Sequence, residues 1–295
     1  VQLYGEPWGM RMLYARTERY DEAYRLLTPY CEERLKRLHA LDKEFDALHE
    51  RIASQAVEFL RSGKAPESWY ARYKSSHQEA KDGMVDAYVN EALQRDAGLQ
   101  RVREDLSAQA SVVPVALDLG MVRLRRAQGM QGEARKGELE AAEKVFLSVK
   151  GIAGESDKFR VFYGQVLYWL GRSEEGRKLF DEYLDANKRN PESLVSVAGI
   201  LREVGDFSAA GKMAEEAYEK EKDPAKRQSV ARFRALVPSD LDDRVVWLER
   251  SNPSDPATKA SLAEVRGHKA FRDGRMKEAE AEYRQAAALY EGMPK

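Results

Sequence analysis

The chain is short of the groups on which most enzyme chemistry and most non-specific binding depend. Among 295 residues there is one cysteine, Cys31, so no internal disulfide can form. Glu32 and Glu33 follow it, and adjacent carboxylates disfavour the thiolate a nucleophile would need. Four histidines offer no Cys/His or Ser/His/Asp pairing that spacing can nominate. Neither charge sign dominates: Lys+Arg 49 against Asp+Glu 50 leaves a net charge of −1, so no global field favours nucleic acid or an anionic membrane. The short basic run "RLRR" at 123–126 lacks interleaved aromatics, which also speaks against nucleic acid. No apolar run approaches the ~20 residues of a membrane span, and no membrane insertion is expected. The ten prolines mostly fall where helices should stop. The first residue is Val1 rather than Met and no signal-peptide pattern follows, so an excised domain or a processed product is expected. Cysteine usage points to the cytoplasm, with a disulfide-free periplasmic or lumenal protein as the alternative.

What is present is periodic. Mean hydropathy is −0.65 with 43% hydrophobic residues, which suits a soluble protein built on narrow apolar stripes. Gly137, Gly171 and Gly205 recur every 34 residues, as do Phe146 and Phe180. Ala142, Gly176 and Ala210 form another such column, joined by Ala279, and Gly164 aligns with Ala198 and takes the same place as Gly267. Several small-residue and aromatic columns sharing one period indicate a repeat array. Each unit reads as two helices joined at a turn, as in "PESLVSVAGILREV", "GDF", "SAAGKMAEEAYEKEK".

These residues resemble the tetratricopeptide repeat family. The resemblance rests on the 34-residue period, on Gly164 with Leu167 in the first helix of a unit, on Gly171 at its turn, and on Ala279, Tyr283 and Ala286 in the second helix. It covers roughly residues 123–293. It implies an all-α solenoid, a superhelix of helical hairpins, with units near 123–156, 157–190, 191–224, 225–258 and 260–293. The fourth is degenerate, with Arg232 and Arg244 where small residues are expected and Ser239 in place of the turn glycine. Another helical-hairpin solenoid would have the same functional consequences.

The N-terminal third departs from the period. Residues 1–30 read as a partial repeat unit, with Tyr20, Ala23 and Leu27 at second-helix spacing. Residues 31–110 read as a long antiparallel helical hairpin, coiled-coil-like at its base. Leu38, Phe45, Ile52 and Phe59 recur every seven residues, "SGKAP" at 62–66 breaks the helix, and a second helix carries Trp69 to Leu106. Residues 111–295 are the array. The hairpin reads either as an arm for docking or self-association, or as an elongated pair of solenoid helices; both readings stand.

Three kinds of chemistry can be tested by spacing. "GDFSAAGKM" has five residues between its glycines instead of four, and Met213 after Lys212 supplies no hydroxyl for Mg²⁺, so it is no phosphate loop. His39, Asp42, Asp46 and His49 lie along one helix flank, and folding the hairpin near Lys64 would bring His77 to within a turn of His49. Asp46, His49 and His77 are thus the weak candidates for a metal site, but Lys43 and Arg51 place positive charge there and polar flanks are ordinary on a solvated helix. Neither a metal nor a cofactor is expected, and no catalytic residue is nominated.

The resemblance implies that the first helix of each unit lines a concave groove. The residues expected to face it are Val161, Gln165, Tyr168, Trp169, Arg202, Glu203, Phe233, His268 and Arg272. Core packing is the competing role for the aromatics among them. Some family members grip C-terminal carboxylates, but the matching positions here are Ala127, Gln131, Gln165, Ser196, Lys226 and Val230, and only Lys226 keeps the type. The expectation is a non-enzymatic scaffold, adaptor or assembly factor that binds a partner peptide or helix. The alternatives are the recognition or regulatory part of a larger enzyme, and a metal-dependent role in the hairpin.

Overall fold

Fourteen α-helices and no strand make up the described residues, 19–293, of the computed structural model. The chain divides into two compact units, Val1–Phe159 and Arg160–Lys295.

In the first unit, α1 spans Tyr20–Ser62, followed by α2 (Glu67–Ser75), α3 (Gln78–Arg95), α4 (Ala97–Gln109), α5 (Val112–Gln128) and α6 (Gly132–Ala153). The expected boundary near residue 30 is no break: Pro29 lies inside α1, where it forgoes the hydrogen bond of its missing N–H and its ring crowds the carbonyl one turn back, yet the helix runs on. The rest of that expected partial repeat lies outside the described residues. Helix α1 ends where "SGKAP" indicates, with Gly63 left-handed at φ 77°. It packs against α3, α4 and α5. Leu35, Leu38 and Ile52 are buried as the seven-residue stripe requires, but Phe59 is exposed and Leu60 is buried instead. A strict heptad drifts about 20° per repeat against a 3.6-residue helix, so by the third heptad the buried positions have moved on by one.

The returning arm is three helices rather than the single long one expected. Ser76 and His77 are extended, and the Ser76 hydroxyl donates to the Arg72 carbonyl at 2.7 Å, closing α2. Asp96 is extended too, and its carboxylate accepts the Leu99 N–H at 2.8 Å, starting α4. Against this arm, Ile52 buries with Leu93 and Leu99. Helix α5 then pairs with α6, where Gly120 lies so close to Phe146 that a Cβ would meet the ring at 2.6 Å. Gly137, expected at the turn of this hairpin, is instead inside α6, and the chain turns at 129–131. In this hairpin the packing glycine and its aromatic are 26 positions apart, where in later ones they are 16 apart.

Helix α7 (Asp157–Trp169) continues into the second unit, which holds α8 (Ser173–Ala186), α9 (Pro191–Glu203), α10 (Phe207–Lys220), α11 (Pro224–Ala235), α12 (Leu241–Arg250), α13 (Pro256–Arg272) and α14 (Met276–Glu291). They pack as sequential hairpins. Gly171, Gly205 and Gly274 occupy the turns with φ of 81°, 87° and 75°, conformations that favour glycine. Between hairpins, Asn190, Asp223 and Asp255 cap the next helix, with Pro191, Pro224 and Pro256 at its first turn. The prolines therefore open helices as well as closing the ones before. A core of Phe180, Leu184, Leu194, Val197 and Leu201 joins α8 to α9, and Trp247, Leu248, Leu262 and Val265 join α12 to α13. No helix among the described residues is long and apolar enough to cross a membrane.

Candidate binding groove

The first helices of successive hairpins in the second unit are linked side by side through polar contacts. The buried Gln165 of α7 donates from Nε2 to Glu203 of α9 at 3.0 Å. Arg202 of α9 stacks over Phe233 of α11 with its guanidinium carbon 5.1 Å from the ring centroid. Arg232 of α11 donates to Asp255 at 2.5 Å and to Thr258 at 3.0 Å, at the start of α13. The Thr258 backbone and side chain, with Arg232, hold the Asp255 carboxyl below its ordinary value.

Between these helices lies a cavity of about 520 Å³ lined by Arg202, Gln228, Ser229, Phe233, Leu236 and Asn252, among others. Leu236 is 57% exposed at its edge. The Arg202 side chain makes no hydrogen bond or ion pair among the described residues and rests on the Phe233 ring. A cation held over an aromatic face with its donors unused is fitted to meet an acceptor from outside the chain.

The other expected groove residues are distributed differently. Tyr168 does not join Arg202. It stacks on Phe180 at 5.4 Å, and its hydroxyl lies 3.5 Å from Asp206, which Arg177 also approaches at 3.5 Å. Burial pushes the Tyr168 hydroxyl above its ordinary value, against the pull of Arg177. It lines a second cavity, of about 440 Å³, with Arg177, Asp181 and Lys212 from the second helices of two hairpins. Val161 and Trp169 are half-buried and line neither cavity. His268 rests edge-on against Tyr283 at 5.3 Å, and Arg272 reaches Asp242 at 3.5 Å and Asp273 at 3.0 Å; neither lines the 520 Å³ cavity.

In the first unit, no group of three or more histidine, cysteine or acidic side chains able to hold a metal is found among the described residues. His39 lies 2.8 Å from the Ser148 carbonyl, His49 packs on Phe45, and His77 caps α3.

One cluster escaped the spacing of the sequence. Arg234 is buried, donates from Nε to Glu215 at 2.9 Å and forms an ion pair with Asp243 at 2.7 Å, with its guanidinium 5.4 Å from the Trp247 ring. Trp247 donates to Asp243 at 3.1 Å and meets Tyr218 edge-on at 5.2 Å. Arg227 and Arg250 cover the same two rings. Arg234, rather than the Arg232 and Arg244 that make the fourth repeat look degenerate, joins α10, α11 and α12. The available signal was a repeat holding Trp247 and five arginines, with Tyr218 just ahead of it.

No protein-family model matches the chain, and no curated protein is significantly similar to it.

Proposed function

We propose that the chain is a tetratricopeptide-like, non-enzymatic interaction module that binds a partner peptide or helix in the groove of its second unit. The repeat reading is supported by the turn glycines at 171, 205 and 274 and by the packing pairs Gly164–Phe180 and Gly267–Tyr283, each 16 residues apart. The observation that carries the binding reading is the Arg202 guanidinium, stacked on Phe233 beside exposed Leu236 with its hydrogen-bond donors unused. An acidic side chain meeting Arg202 next to an apolar one covering Leu236 would fit this surface. Arginine and aromatic anchors of this kind concentrate interface energy.

The test is affinity capture with the full chain as bait and identification of bound proteins by mass spectrometry, alongside Arg202→Glu and Phe233→Ala. Partners lost on both substitutions, with helical content unchanged, support the groove. Identical capture by all three baits would place binding elsewhere.

A further inference from the structure

The cavity of about 440 Å³ beside Tyr168 shares no lining residue with the groove cavity. Its floor is apolar: the stacked rings of Tyr168 and Phe180, with Val197 and Leu201 of α9 and Met213 of α10. Ser208 and Ala209 also line it, at the start of α10, and side chains so small leave the space between the second helices unfilled. An apolar cavity of a few hundred Å³ with a few polar groups at its edge has the size and composition of a small-ligand site. Most of its α10 wall comes from the segment "GDFSAAGKM", whose spacing fits no phosphate loop but which brings Lys212 here.

The charged groups around the cavity select the ligand. Arg177 and Asp206 approach each other at 3.5 Å, and Asp206 also accepts the Ala209 N–H at 3.1 Å, so these two are engaged. Lys212 is exposed and makes no ion pair or hydrogen bond among the described residues. Asp181 of α8 is 49% exposed, and its ion pair is a loose one, 3.8 Å from an Arg189 that Glu216 holds at 2.7 Å. Lys212 and Asp181 do not pair with each other, so opposite charges from two helices line one apolar cavity. A phosphate or simple carboxylate meeting Lys212 would share the space with Asp181 and Asp206, and an amine meeting Asp181 would share it with Arg177 and Lys212. A zwitterion satisfies both signs, and a peptide terminus, which carries only one, does not. We infer that this cavity binds a small zwitterion with an apolar body, the chemistry of a free α-amino acid with an aromatic or large aliphatic side chain. Its carboxylate meets Lys212, with the Ser208 hydroxyl as a second donor, and its ammonium meets Asp181. Its side chain lies against Tyr168, Phe180 and Leu201.

The test titrates the full chain with L-phenylalanine and follows the backbone amide NMR signals of Ser208 and Lys212. Saturable shifts are expected, with a dissociation constant of about 1 mM or tighter. 3-Phenylpropionate lacks the ammonium and 2-phenylethylamine lacks the carboxylate. Each should bind about tenfold more weakly or worse, because one charged contact is lost. Lys212→Met and Asp181→Asn should weaken L-phenylalanine by a similar factor. Neither side chain is buried, and unchanged circular dichroism would confirm that the variants fold. Three outcomes would overturn the inference: no saturable shift by about 10 mM, either analogue binding as tightly as L-phenylalanine, or binding indifferent to either substitution.

Discussion

Gly164 and Phe180 fix the approach of two helices: a Cβ on Gly164 would stand 2.7 Å from the Phe180 ring and 3.2 Å from the Gly176 carbonyl oxygen. The reverse holds one turn away, where a Cβ on Gly176 would meet the Gly164 carbonyl oxygen at 2.6 Å. Helices α7 and α8 therefore touch backbone to backbone, and the ring of Phe180 fills the space beside the contact. Gly267 and Tyr283 repeat the arrangement at 2.8 Å, and Gly120 and Phe146 at 2.6 Å.

Gly164→Ala weighs two opposed effects. Alanine gains about 1 kcal/mol of helix propensity over glycine. Overpacking a closed contact costs about 1–3 kcal/mol, and here part of the obstacle is backbone, which cannot swing away. Net destabilisation of about 1–2 kcal/mol is expected as a lowered urea midpoint. A stabilised variant would mean that the two helices are not held at this distance.

Gly137→Ala and Gly199→Ala should do the opposite. Both glycines lie inside helices with ordinary φ, and an added Cβ meets nothing within 4 Å at either. Each substitution should stabilise by about 0.5–1 kcal/mol through helix propensity alone. For Gly137 the outcome also separates two geometries. At an inter-helix turn with positive φ, alanine would be strained and the midpoint would fall.

Gly137 and Gly171 show where the sequence is legible and where it stops. Both belong to one 34-residue column, yet only Gly171 has φ above zero, at 81°. Periodicity reports that a residue recurs, but an insertion between the two helices shifts the turn without disturbing the second-helix columns, so Phe146 keeps its buried place while Gly137 loses its own. The hairpins, their caps and the small-residue columns were readable because each follows from local backbone demands. The break at Asp96 was also locally signalled, by a capping residue, but a continuous apolar stripe outweighed it. Arg202 and Phe233, both named as groove candidates, lie together, whereas Tyr168 faces the second helices, because which side of a helix is covered depends on the crossing angle of the next hairpin.

Arg234→Met and Arg232→Met should differ sharply although the residues are two apart. The Arg234 side chain is 9% exposed and balances Glu215 and Asp243, which its loss would leave as neighbouring, partly buried negative charges. Breaking a buried pair costs about 3–5 kcal/mol, less here because both acids keep some contact with water, so about 1–3 kcal/mol is expected. Arg232 is 49% exposed, and an exposed pair contributes about 1 kcal/mol or less. Equal shifts in the urea midpoint would show that Arg234 is not the buried hub of this repeat.

Arg189 contributes to the acid response of the second unit through Glu216. The chain after α8 turns left-handed at Lys188 and Arg189, with φ of 54° and 46°. The Arg189 guanidinium reaches α10 there, donating from Nε and Nη2 to the two Glu216 oxygens at 2.9 and 2.7 Å. This fork, with Lys220 adding a smaller share, lowers the Glu216 carboxyl from an ordinary 4.5 to about 2. The unfolded chain takes up that proton near the ordinary value while the folded one resists it, so acidification through this window favours unfolding. The contribution is complete above the unfolded value, shrinks as pH falls, and is gone below the folded one. Other carboxylates in the unit are lowered as well, Asp242, Asp255 and Asp273 among them, so a bulk acid-unfolding curve cannot isolate this pair. Carboxyl NMR of Glu216 can. In the wild type it should titrate near 2; in Arg189→Met it should move up towards the ordinary carboxylate range, and in Lys220→Met it should move less. A Glu216 titration unmoved by loss of Arg189 would show that the fork does not hold the proton off.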